Sequence, residues 1–252
     1  MLEQTPRARS VSELVDATFS LYRRNASAYI MVTAMAVVPG LVVQLLFLRP
    51  SMEPSMGNAM GAFLGGLISL VTYGLMTGVV TKVGSDVYLG GEADVAAAVR
   101  HVMPRLGSLI AAGIMKGIYF FLYALLLFFP VFIAFAKYFA PEAAVVLEGK
   151  TAGQALERSA QLSDGLRWHI LRTLVLGYGI YFLLAMAIGA IGIFGNSEVV
   201  MLFVQTVFTV IAYPIVGLLS MMLYYDARIR KEGFDMEHLA RALGDASASP
   251  AR

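Results

Sequence analysis

The sequence predicts an all-α fold: a polytopic bundle of about six transmembrane helices, with amphipathic interfacial helices on the cytoplasmic side. Three observations lead there. The composition is 58% hydrophobic and only 14% charged, whereas soluble domains carry about 25% charged residues. The apolar residues come in continuous blocks near the ~20 residues needed to cross ~30 Å of hydrocarbon at 1.5 Å per residue. Basic residues flank these blocks almost entirely on alternate sides. Lipid leaves no backbone group unsatisfied, so the blocks are helices or strands of a closed barrel. None alternates with period two, which selects helices.

In chain order, residues 1–235 form a single membrane domain. An interfacial helix at about 10–25 precedes spans at about 28–48, 59–83, 106–127, 129–147, 172–193 and 199–225. Residues 236–252 are a short Ala- and Ser-rich cytoplasmic tail. The first 26 residues are polar and amphipathic, and the first apolar block exceeds the roughly 7–15 residues of a signal h-region. It is therefore read as a retained span. Arg7, Arg9, Arg23 and Arg24 precede it. Lys82, Arg100 and Arg105 lie between the second and third spans, Lys150, Arg158 and Arg167 before the fifth, and Arg228, Arg230 and Lys231 after the sixth. The opposite loops hold only Arg49. By the positive-inside rule both termini and both long loops are cytoplasmic.

The same rule decides the segment between Arg105 and Lys150. Both ends are inside, so the chain crosses an even number of times, and the expected form is a hairpin turning at Phe128-Phe129-Pro130. A single span over 117–136 and a re-entrant pair are the rival forms.

Each cytoplasmic segment reads as an amphipathic helix ahead of a hairpin. The first puts Val11, Leu14, Val15, Phe19 and Tyr22 on one face. The second groups Val95, Val99, Val102, Met103 and Leu106, and the third Ala152, Ala155, Leu156 and Ser159. The spacing i, i+3, i+4, i+7 suits an interfacial helix. Capping boxes open the first and third, Ser10-x-x-Glu13 and Thr151-x-x-Gln154. Glu13 and Gln154, Asp16 and Glu157, Thr18 and Ser159, and Leu21 and Leu162 match in kind. Either the chain repeats a three-unit plan, or short amphipathic helices resemble one another by chance.

Little points to catalysis. Cysteine is absent, which excludes disulfides and thiolate metal sites. His101, His169 and His238 form no zinc motif, and no nucleophile elbow or Walker loop exists. Gly189-x-x-Gly192-x-x-Gly195 ends a hydrophobic helix and follows no strand, so it reads as packing or a turn. Gly61 and Gly65, and Gly74 and Gly78, sit four apart, a spacing that brings helices close in lipid. No catalytic residue, metal ligand or cofactor is expected.

The ionisable residues within the third and fourth spans carry the sharpest signal. Lys116 lies thirteen positions before Phe129 and Glu142 thirteen after it, which places the two at equal depth. One reading is a buried Lys116–Glu142 pair beside Pro141, with Lys137 facing a polar cavity; charge at that depth is costly unless paired or hydrated. The other is that the spans are shallower and the lysines snorkel to an interface. Arg23, Arg24, Arg167, Trp168, Arg172, Tyr225, Arg228 and Arg230 are expected to anchor the protein at the interface and meet lipid headgroups. Asp226 is expected to pair with Arg228 or Arg230 in an exposed interaction of little weight.

Residues 224–235, Tyr-Tyr-Asp-Ala-Arg-Ile-Arg-Lys-Glu-Gly-Phe-Asp, resemble the closing signature of the bacterial glycerophosphoryl diester phosphodiesterase membrane-domain family. The stretch from Pro141-Glu142 through Glu148, the run Ala155-Leu156-Glu157-Arg158-Ser159 with Leu162, and the opening from Leu14 to Arg24 with Asp16 are similar to other parts of that pattern. In enzymes of that name a soluble barrel supplies the chemistry, and this chain has no counterpart to it. The resemblance therefore implies a bacterial inner-membrane, non-catalytic module rather than an activity. The expected function is a membrane scaffold or partner subunit, bound to membrane lipids and to another membrane protein or itself, without nucleic acid. The alternative is a small transporter or lipid-handling protein with a charged intramembrane cavity.

Overall fold

A computed structural model describes residues 7–47, 56–125, 128–193 and 198–234. Arg49, Gly195, His238 and the tail at 236–252 lie outside the described residues. Within them every regular element is helical: α1 (Val11–Arg24), α2 (Ala26–Phe47), α3 (Met56–Tyr88), α4 (Val95–Val102), α5 (Leu106–Leu125), α6 (Phe128–Lys137), α7 (Pro141–Glu148), α8 (Ala152–Ser163), α9 (Arg167–Ile193) and α10 (Glu198–Glu232). A 3₁₀ turn at Met103–Arg105 joins α4 to α5. Five helical stretches are long and apolar enough to cross a membrane, or six when the bent pair α1–α2 counts as one.

The six apolar stretches of the sequence fall on α2, α3, α5, α6 with α7, α9 and α10. The helices outrun the apolar blocks at one end. α3 continues to Tyr88, α9 begins at Arg167 and α10 reaches Glu232. Hydropathy marks where the solvent changes, whereas these end turns are held by polar contacts with neighbouring helices. Many large apolar side chains are exposed along these helices, among them Met35, Phe63, Phe121, Phe182 and Phe203. Exposed apolar area on that scale calls for lipid rather than water.

The segment from Leu106 to Glu148 is a hairpin. Tyr119 stacks on Tyr138 with ring centroids 5.0 Å apart, and Phe120 meets Phe135 at 4.6 Å, an antiparallel pairing that a single span cannot make. The chain returns to its starting end, for Gly149 lies beside the Arg105 guanidinium and His101 Nε2 is 2.9 Å from the Val146 carbonyl. Phe128, Phe129 and Pro130 do not form the turn that the sequence led us to expect there. They are the first turn of α6, where a proline is tolerated because its missing N–H has no helical partner.

α10 is the hub, packed against α1, α2, α3, α7, α8 and α9. Leu218, Met221, Leu223 and Tyr224 are fully buried along it. Close approach is bought by glycine at three places. A Cβ on Gly78 would lie 2.7 Å from both Leu109 and Val102, one on Gly84 would run into Leu218, and one on Gly177 into Leu219. Of the predicted small-residue pairs, Gly74 and Gly78 serve the α3–α5 contact, whereas Gly65 faces open space.

The amphipathic helices differ from their expected setting. α1 meets α2 at 83°, and its apolar stripe is buried against α9 and α10 rather than laid on lipid: Leu14, Val15, Thr18, Leu21 and Tyr22 are enclosed. α4 buries Ala98 and Val102, while Met103, placed on that face by periodicity, is 52% exposed. α8 buries Ala152, Ala155, Leu156, Ser159 and Leu162 against α5 and α7. Each begins with a side-chain cap. Glu13 and Ser10 bond reciprocally, Asp94 accepts the Ala97 N–H at 2.9 Å, and Gln154 accepts the Thr151 N–H at 3.1 Å. α4 packs on α3, α8 on α7 and α1 on α10.

Candidate functional site: a buried lysine–glutamate pair

Lys116 is carried halfway along α5, and Glu142 is the second residue of α7. Lys116 Nζ lies 3.0 Å from Glu142 Oε1 and 3.3 Å from Oε2. The Glu142 residue is only 8% exposed. From Glu142 to Glu148 is six residues, about 9 Å along a helix, so the pair sits well inside the bundle.

A break in the helix aims the carboxylate. α6 stops at Lys137 and α7 starts at Pro141, because proline cannot bond back to Lys137 and its ring crowds the preceding turn. The groups freed by the break are taken up by one side chain of α8. Ser159 Oγ donates to the Lys137 carbonyl at 3.1 Å and accepts the Ala140 N–H at 3.3 Å. Ser159 is fully buried, so without it two backbone groups would be left unpaired away from water. The break also puts Glu142 in the first turn of α7, where exposed N–H groups favour a carboxylate.

Neutral hydroxyls surround the pair. Tyr73, Thr77 and Thr81 come from α3, Tyr178 from α9, and Tyr213 and Ser220 from α10. Thr77 Oγ1 and the Tyr213 hydroxyl are 3.1 Å apart, and Tyr73 meets Tyr213 edge-on at 5.6 Å. Together with Gly217 and the pair itself they enclose a cavity of about 30 Å³. Lys137 is not part of it. Its Nζ lies over the Tyr138 ring, 5.2 Å from the centroid, so only its backbone carbonyl serves the site.

A second polar centre occupies the end of the bundle where α1, α7, α8, α9 and α10 meet. Arg158 of α8 grips Glu148 with Nε and Nη2, both within 3.2 Å, and Glu232 at 2.6 and 2.9 Å. The Tyr224 hydroxyl donates to Glu148, and Arg228 reaches Glu232 at 3.2 Å. Beside it Asp226, 2% exposed, accepts the Arg9 backbone N–H at 2.8 Å, contacts His169 Nε2 at 3.0 Å and accepts Arg230 Nε at 2.8 Å. Arg230 also donates to the Arg9 carbonyl at 2.6 Å. The Arg9 guanidinium, whose Nε has no partner, covers the Tyr88 ring at 5.7 Å.

The expected headgroup residues therefore divide. Tyr225 is buried, with its hydroxyl 2.7 Å from Ser85 Oγ, Arg228 is half-buried beside Glu148 and Glu232, and Arg230 is exposed at the surface while paired with Asp226. Tyr225 links α10 to α3, and Arg230 links it to the start of α1. Asp226 is likewise a buried junction, not the weak surface partner expected. Trp168 is 71% exposed. Arg23, Arg24, Arg167 and Arg172 are exposed too, with Arg167 3.4 Å from Asp164 and Arg172 donating to the Trp168 carbonyl. Sequence reading passed over the hydroxyl stripe of α3. Its signal was present, since Tyr73, Thr77, Thr81 and Ser85 recur every four residues inside an apolar span.

Outside the apolar core, the Glu13 carboxyl is held down at about 2, against its ordinary 4.5, first by the Ser10 backbone N–H and then by Arg7. Among the described residues no cluster of histidine, aspartate and glutamate is arranged to hold a metal ion. Compared with protein-family models, curated proteins and solved structures, the chain finds no match.

Proposed function

We propose that the chain is a non-catalytic membrane scaffold or partner subunit of a bacterial inner membrane, with both termini cytoplasmic. The observation that carries this reading is that the two inner charges pair with each other, beside a cavity of about 30 Å³. A space of that size admits water but no organic substrate. Anionic lipid suits the exposed cations Arg23, Arg24, Arg167 and Arg172, next to Trp168. The polar end network is then the cytoplasmic end, in line with the basic residues gathered there.

The helices are read as three units, α1–α3, α4–α7 and α8–α10, each an amphipathic helix followed by a hairpin. Supporting this are the three capped starts and the recurring seat of each amphipathic helix on the last helix of the unit before it, with α1 seated on α10 to close the ring. The resemblance to the glycerophosphoryl diester phosphodiesterase membrane-domain family belongs to the same reading and carries no enzyme activity with it. Purified protein given a glycerophosphodiester and a divalent metal is expected to show no turnover.

Extraction into lipid nanodiscs followed by mass measurement tests the proposal. A stable partner or homo-oligomer is expected, and a lone monomer at every detergent strength overturns it. The second reading, a small transporter or lipid-handling protein, draws on the charged pair beside a polar cavity. It requires that cavity to open, and Thr81→Trp, which plugs it, would then abolish uptake while leaving the scaffold's partner bound.

A further inference from the structure

The hydroxyls beside the ion pair fall into an order that pairing alone does not call for. On α3, Tyr73, Thr77, Thr81 and Ser85 form one stripe, every four residues, as helical geometry requires for a common face. The first three line the central cavity, and Ser85 bonds Tyr225 one turn nearer the polar end. Opposite them α10 offers Tyr213 and Ser220, separated by Gly217. The missing side chain at Gly217 lets α10 lie close to α3, since a Cβ would lie 3.1 Å from Val80.

The two charges leave bonds unmade. A carboxylate has about four acceptor positions and an ammonium three donors. The contacts between Lys116 and Glu142, at 3.0 and 3.3 Å, use one position on each oxygen. A charge taken out of bulk water and only partly bonded is expensive, and the cost is met by further hydrogen bonds at the site. A water needs roughly 10–15 Å³ of such space and two to four polar partners. The cavity offers about 30 Å³ and six hydroxyls besides the pair. The neighbouring void under Leu70, Gly74, Leu109 and Gly113 is about 10 Å³, at the lower limit for one water, and its wall is almost wholly hydrocarbon, which leaves too few polar partners for the same use.

We propose that the central cavity is a hydration site, binding one or two water molecules between the Lys116–Glu142 pair and the hydroxyls of Thr77, Thr81 and Ser220. The bound water completes the solvation of both charges, so the bundle keeps an ion pair in its interior without opening to a substrate. The site stands whether or not the chain recruits a partner.

A structure of the full chain in lipid, at a resolution that resolves water, tests this. Density is expected within hydrogen-bonding distance of Glu142 and at least one of the three hydroxyls. A dry cavity, a bound ion or an acyl chain there overturns the proposal. So does xenon occupancy in pressurised crystals, because the gas selects dry apolar voids. Thr81→Val, which keeps the shape and removes a partner, is expected to lower the melting temperature by about 2–4 °C and to thin the water density. An unchanged melting temperature with unchanged density shows that Thr81 holds no water and removes the hydroxyl stripe from the argument.

Discussion

The middle of the bundle and its polar end solve the same problem differently. At the end, charges are shared: Glu148 is bound by Arg158 and Tyr224, Glu232 by Arg158 and Arg228, and Asp226 by Arg9, His169 and Arg230. In the middle, Lys116 and Glu142 have only each other and neutral hydroxyls. Redundancy makes each contact at the end individually dispensable. Isolation in a low-dielectric interior makes the central one indispensable, because either charge left alone has nowhere to go.

The largest effect is expected from removing half of the central pair. Lys116→Met strands a buried carboxylate and should cost about 3–5 kcal/mol, measured by thermal unfolding in detergent. Adding Glu142→Gln to the same chain should recover most of that loss. A double variant no better than the single one breaks the contrast.

Asp226→Asn comes next. It keeps the shape but weakens three contacts, at a cost of about 1.5–3 kcal/mol for hydrogen bonds to a charged group. Hydrogen exchange should show the start of α1 opening first, since Arg9 loses its anchor. Arg158→Lys should cost about 1 kcal/mol, because Lys cannot reproduce the two forked contacts while Arg228 still holds Glu232.

The smallest effect lies at the exposed cap of α1. Glu13 is depressed in the folded chain, so its contribution is complete above the ordinary value of 4.5 and disappears as pH falls through about 2. Titration followed by NMR should give a midpoint near 2, and Arg7→Ala should move it upward. A midpoint unmoved by that substitution would leave the Ser10 N–H as the main cause.

Much of the fold was legible from particular residues. The continuous apolar blocks locate the long helices because only helices satisfy the backbone in lipid. The basic residues on both flanks of 106–147 require an even number of crossings, and that segment folds as a hairpin. Ser10-x-x-Glu13 marks the start of α1, whereas the Asp94 cap of α4 carries no such signature because alanine stands three residues on. Equal spacing about Phe129 brings Lys116 and Glu142 to one level, yet spacing cannot tell an ion pair from two side chains reaching for an interface.

What the sequence by itself determined was the solvent of each segment, since hydropathy and helical period are local properties of the chain. What only the tertiary structure decided was the fate of each polar group. Tyr225 has the composition of an interfacial anchor, yet packing turned it inward onto Ser85. Ser159 looks like an ordinary helix residue until α8 lies across the break before Pro141. Partners so far apart along the chain are chosen by which helices pack together, and that choice is written in no single stretch of sequence.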